Sequence, residues 1–245
     1  MNNIVGIMQP YFMPYLGYWQ HIAATDVFVL YDDVNYIKRG WINRNRIIVN
    51  GQEHLFTIPL SGASQNKRIN ELYIAENDWK EQFWKKLYFA YHKSLMWDEL
   101  SDLLKAVVCF EDNHLVSYIK HSIEEVASYL GIETKLLVSS ELKKDDTLKG
   151  QEKILDICKI LNATTYMNPS GGIELYDGNI FADNGIELQF IFPELPKYDQ
   201  AAREYFPGLS IIDLLLNVDK ESIKKMLRQY KIETKRENKA GGLYE

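Results

Sequence analysis

The sequence predicts an α/β protein with a mostly parallel, Rossmann-like central sheet, flanking helices and an inserted β-hairpin. Three observations carry that expectation. Two short, almost wholly apolar runs, residues 3–9 and 27–31, flank an amphipathic stretch at 14–24. Strands that are apolar throughout are buried on both faces, as in parallel sheets. Further on, Asn50-Gly51 separates two apolar runs, and both residues accept the positive φ of a tight hairpin turn.

In chain order, residues 3–9 read as the first strand, stopped by Pro10. Residues 14–24 read as the first helix, where Pro14 suits an early position that needs no N–H. Residues 27–31 complete a strand–helix–strand unit. The hairpin at residues 46–60 follows. Trp79, Phe83, Leu87 and Tyr91 recur every four residues and predict a helix with one apolar face. Leu115, Ile119, Ile123, Val126 and Leu130 predict another, stopped by Gly131. Residues 133–138 read as a strand and 150–161 as a helix with Ile154, Ile157, Cys158 and Leu161 inward. Residues 164–167 and 186–192 are further strands. Ser210 and Asp213 have capping-box spacing and open a helix over 211–216. No internal repeat interrupts this order. The division expected is one domain over residues 1–219, then a basic helix and polar tail over 220–245.

Composition excludes several classes. The 245 residues suffice for a core without staples. Cys109 and Cys158 lie far apart, outside any ligand spacing, so neither a disulfide framework nor a zinc site is expected. A reducing, cytoplasmic location is the default. No apolar run approaches the ~20 residues of a spanning helix, and no basic leader precedes the first strand. A formal net charge of −6 argues against nucleic acid as a partner. Residues 220–239 nevertheless hold eight Lys or Arg against three Glu. That excess is either a solvated face or a patch for phosphates or an acidic membrane surface.

Chemistry concentrates after the first two strands. Residues 8–18 read Met-Gln-Pro-Tyr-Phe-Met-Pro-Tyr-Leu-Gly-Tyr, and ligands of open α/β sheets bind beyond strand carboxyl ends. Gln9, Tyr11, Tyr15 and Tyr18 are therefore candidate ligand contacts, beside a helix start whose free N–H groups suit phosphate. The alternative is aromatic core. His21 shares a helical face with Tyr18 and is a candidate acid or base, or a buried structural histidine. Asp32 and Asp33 end the second strand. Either can act as a base or hold Mg²⁺ with substrate phosphates, unless the two are only an exposed turn. Lys38 begins a basic, amide-rich run, in which Arg44 and Arg46 share one face of an extended strand. Such a face captures phosphate or carboxylate; otherwise it is a solvated hairpin edge. Ser170, Gly171 and Gly172 follow a strand end and admit close backbone approach by a ligand, or simply turn the chain. No Gly-x-Ser-x-Gly elbow, Walker loop or HExxH motif is present.

These residues resemble a known signature. Met8-Gln9-Pro10-Tyr11-Phe12, Pro14-Tyr15-Leu16-Gly17-Tyr18, Tyr31-Asp32-Asp33-Val34 and residues 38–45 (Lys-Arg-Gly-Trp-Ile-Asn-Arg-Asn) are similar to motifs of the WbqC-like family. Lys149-Gly150-Gln151, Ser170-Gly171-Gly172, Leu175-Tyr176 and Ser210-Ile211-Ile212-Asp213 extend the likeness over residues 4–218. The resemblance implies a role in O-antigen (lipopolysaccharide) or related surface-glycan biosynthesis. Specifically, it implies a group transferase modifying a nucleotide-linked amino sugar with an acyl or aminoacyl donor. Under that reading His21, Asp32 or Asp33 takes the amine proton, Arg44 and Arg46 hold the diphosphate, and Gln9 and Tyr11 orient the acceptor. Mg²⁺ is expected only alongside a phosphate-bearing substrate, and a homo-oligomer is left open. The topology also weakly resembles HIGH-motif nucleotidyltransferases, with Tyr15-Leu16-Gly17-Tyr18 at the His-x-Gly-His position. Tyrosine carries no positive charge there near neutral pH. An ATP-dependent nucleotidyltransferase or ligase is therefore one alternative, and a non-catalytic glycan-assembly binding protein is another.

Overall fold

The computed structural model describes residues 2–235. In chain order its elements are β1 (Ile4–Met8), α1 (Leu16–Ala23), β2 (Val27–Leu30), β3 (Arg44–Val49), β4 (Gln52–Thr57), β5 (Leu60–Ser61) and β6 (Tyr73–Ile74). Then come α2 (Trp79–Tyr91), α3 (Trp97–Val108), α4 (Leu115–Leu130), β7 (Lys135–Val138), α5 (Gly150–Ile160), β8 (Thr165–Pro169) and α6 (Gly178–Asp183). The last are β9 (Glu187–Pro193), α7 (Ile211–Asn217), α8 (Lys220–Met226) and β10 (Tyr230–Thr234).

The central sheet has the order β10-β9-β8-β1-β2-β7. All its pairings are parallel except that of β10 with β9. Side chains alternate across it, and both faces are apolar. Val5, Ile7 and Val29 pack with α5 and α6 through Ile157 and Phe181. Phe28 and Leu30 join the larger core of α1, α4 and α8. Helices on both faces explain why β1 and β2 carry no polar alternation. Gly6 is required in β1: a Cβ there would lie 2.9 Å from His21 Nε2 and 3.0 Å from Thr25, so glycine lets α1 approach the sheet closely.

The inserted hairpin is β3–β4, paired antiparallel from Arg44↔Thr57 to Val49↔Gln52. Asn50 and Gly51 turn it with φ of 53° and 72°, the two positive values that a type I′ turn needs. The basic C-terminal segment differs from a continuous solvated helix. It is helical only over α8, and β10 then pairs with the outer edge of β9. The physical reason is that β9 otherwise leaves a row of unpaired backbone groups. Residues 236–245, the remainder of the expected polar tail, lie outside the described residues.

Candidate functional site

The loop from β1 to α1 is held from three directions. Phe12 N–H donates to Ile42 O at 3.0 Å, and Ile211 N–H donates to Pro14 O at 3.0 Å. The Met13 carbonyl accepts from Asn45 Nδ2 at 2.6 Å and Ser210 Oγ at 2.7 Å. Met13 itself sits at a φ of 45°, a backbone position maintained by this surrounding framework. The Tyr18 hydroxyl closes the loop by donating to Gln9 O at 2.9 Å. Asn43 and Asn45 thus spend their amides inside the protein, Asn43 donating to Ile58 O.

This framework encloses a pocket of about 310 Å³ beyond the carboxyl ends of β1, β8 and β9. Gln9, Tyr11, Tyr15, Tyr18 and His21 line it, together with Trp41. Ile37, Ile42, Ile191 and prolines 10, 169 and 193 make the rest mainly apolar, and among the described residues none that lines it is an acid, a lysine or an arginine. The order in which the chain adds strands reverses at β1, running outward through β2 and β7 and then crossing back to β8 and β9, and ligands of open sheets collect at such a switch point. The pocket therefore opens on the side of β1 away from β2, whereas sequence order alone suggested the β1–β2 crevice. Gly17 leaves room for the wall: a Cβ there would meet the Tyr15 ring at 2.5 Å and Pro193 Cβ at 3.0 Å.

His21 is 1 % exposed. Its Nε2 lies 2.9 Å from Met167 O. A carbonyl only accepts, so Nε2 carries the proton and Nδ1 of the neutral ring is a bare acceptor. Nδ1 has no partner among the described residues. Burial, opposed by the hydrogen bond to Met167, pushes the imidazole pKa down to about 4. The ring is therefore neutral at physiological pH.

Trp41, 45 % exposed, forms the outer wall, its ring centroid 6.3 Å from that of Tyr11. The guanidiniums of Arg44 and Arg46 both lie 5.3 Å from the Trp41 ring, within cation–π range. They put two positive charges beside an uncharged pocket. Arg46 also pairs with Glu53 at 2.7 Å and donates to Pro207 O at 3.2 Å. The Arg44 guanidinium donates only to the Arg39 carbonyl among the described residues.

Asp32 and Asp33 do not line this pocket. Asp32 accepts from Ser140 N–H at 2.9 Å and Ser140 Oγ at 2.6 Å. Burial raises its carboxyl above the ordinary range against those bonds. Asp33 Oδ2 lies 2.8 Å from both Lys144 Nζ and Lys153 Nζ. Burial would raise this carboxyl, but the two lysines outweigh it and hold it below the ordinary range. Two ammonium groups already neutralise Asp33, which makes it a poor seat for a divalent cation. Lys38 is exposed in the loop before β3. Ser170, Gly171 and Gly172 form the 3₁₀ turn after β8, adjoining the pocket through Pro169. Sequence reasoning did not single out Trp41, Ile191, Pro193, Lys144 or Lys153. A large aromatic within a basic run was the available signal for Trp41; the lysines carried none.

A family model described as the WbqC-like protein family matches residues 9–225. A Mycobacterium tuberculosis protein described as uncharacterized protein Rv1507c is 30 % identical over 221 residues, covering 89 % of this chain and 95 % of that relative. No solved structure gives a significant match.

Proposed function

This chain belongs to the WbqC-like protein family, and from that premise we propose a group transferase that acylates or aminoacylates the amine of a nucleotide-linked sugar. The family supports a role among polysaccharide gene clusters, and surface-glycan assembly is the setting proposed. One observation carries the reading of the site: an uncharged, aromatic pocket with two guanidiniums beside it. A nucleotide-linked amino sugar has the matching form, a ring without anionic groups attached to a diphosphate. Aromatic walls stack on the ring's C–H faces, and arginine binds phosphate oxygens in pairs.

The amine nitrogen attacks the acyl carbonyl carbon, the bond from that carbon to the donor's leaving group breaks, and the nitrogen sheds a proton. His21 Nδ1 is the proposed acceptor of that proton, directly or through water. Gln9 and the Tyr11 hydroxyl are the proposed donors to the developing oxyanion. Asp32 and Asp33 are assigned to holding the β2–β7 end of the sheet, since Ser140 engages both Asp32 carboxylate oxygens and Lys144 and Lys153 engage Asp33 Oδ2.

The test is mass spectrometry of nucleotide-linked amino sugars incubated with the protein and an acyl thioester or an aminoacyl donor. The expected result is a protein-dependent mass gain equal to the transferred group. Tight sugar binding with no mass gain for either donor would overturn the transferase reading in favour of a binding protein.

A further inference from the structure

The proposed substrate is defined further by what the pocket lacks. Its polar groups are few. The Tyr18 hydroxyl is spent on Gln9 O and His21 Nδ1 is buried without accessible surface, leaving the Gln9 amide and the hydroxyls of Tyr11 and Tyr15. The remaining wall is isoleucine, proline, methionine, glycine and indole, with no Asp, Asn, Ser, Thr or Arg among the described residues that line the space. A fully hydroxylated hexosamine enclosed there would lose water from hydroxyls that find no partner, and such burial is costly. A methyl group in place of a hydroxyl gains contact instead.

Depth orders the ligand. His21 lies at the buried end, 1 % exposed, and Trp41 at the open end, 45 % exposed with the arginines over it. The diphosphate is attached at the sugar's C1 and is held at the open end. The far side of the ring, C4 and the exocyclic C6, then points inward. We infer that the pocket selects a 6-deoxy amino sugar, one with a methyl group where ordinary hexosamines carry hydroxymethyl. The inference rests on the proposed reading of the protein as a nucleotide-sugar enzyme.

The experiment titrates the whole protein with a matched pair of uridine-diphosphate 4-amino sugars, C6 methyl against C6 hydroxymethyl. The methyl compound is expected to bind at least tenfold more tightly, about 1.4 kcal/mol. Equal affinities, the reverse order, or no binding by either would overturn the inference. Transfer is read by mass on the same samples. Selective binding without mass gain removes the transferase reading and keeps this inference; mass gain without selectivity does the opposite.

Discussion

At the scale of single residues, the two sets of polar groups flanking β1 have opposite characters. His21 is neutral with a bare Nδ1, whereas Asp33 is locked between Lys144 and Lys153. A folded-state pKa of about 4 for His21 lies below the ordinary ~6.5. The unfolded chain therefore binds more protons between those values. The stability from keeping His21 neutral is fully present above ~6.5 and lost as pH falls toward 4. Urea unfolding at pH 7 and pH 5 should differ by about 2 kcal/mol more in wild type than in His21→Phe. The same difference in both proteins would show that another group titrates. Asp33→Asn removes the carboxylate shared by two buried ammonium groups, leaving Lys153 without an ion pair among the described residues and Lys144 with only Asp146 at 3.6 Å. It should lower stability by about 3–5 kcal/mol, as removal of one partner of a buried pair does. A variant that unfolds like wild type but loses turnover would instead make Asp33 part of the chemistry.

At the scale of elements, the hairpin is both wall and anchor. Arg46 ties β3 to β4 through Glu53 and to the segment before α7 through Pro207; Arg44 lacks such ties among the described residues. Arg44→Ala should weaken phosphate-bearing ligands by about 1.5–3 kcal/mol with little change in melting temperature. Arg46→Ala should lower the melting temperature as well. Titration calorimetry beside thermal melts separates the two, and an Arg44 variant that binds normally would remove that side chain from the site. At the start of α1, Gly17→Ala forces the Tyr15 ring away from the helix. It should cost about 1–3 kcal/mol and weaken binding of any ligand the pocket takes. Unaltered affinity would separate Tyr15 from the ligand. The hairpin was legible because Asn50-Gly51 demands positive φ at two successive residues. Helix α3 was legible too, through Trp97, Leu100, Leu104 and Val108, although the sequence reading passed over it. Strand β10 was not: its burial is slight, and it exists because β9 offers an edge.

At the scale of the whole molecule, the apolar strands β1 and β2 announced a sheet covered on both faces, and the helices over those faces are present. The order of the sheet was not written locally. Nothing in residues 164–193 states that β8 and β9 lie beside β1 on the side opposite β2, yet that placement decides where the pocket opens. Gln9, Tyr11, Tyr15, Tyr18 and His21 could be grouped from sequence because one short loop and one helix carry them. Ile191 and Pro193 reach the same wall only through the sheet, and the lysines of Asp33 come from beyond β7. On the opposite side, at the amino ends of β2 and β7, a polar groove of about 620 Å³ runs beside Lys224 and Arg228. It is the rival location for a phosphate-bearing ligand. The most direct measurement is a crystal structure of the protein soaked with a nucleotide-linked amino sugar. The sugar is predicted between Tyr11, Tyr15 and His21, with its diphosphate against Arg44 and Arg46. Density for the ligand in the groove beside Lys224 and Arg228, with the aromatic pocket empty, would contradict the account.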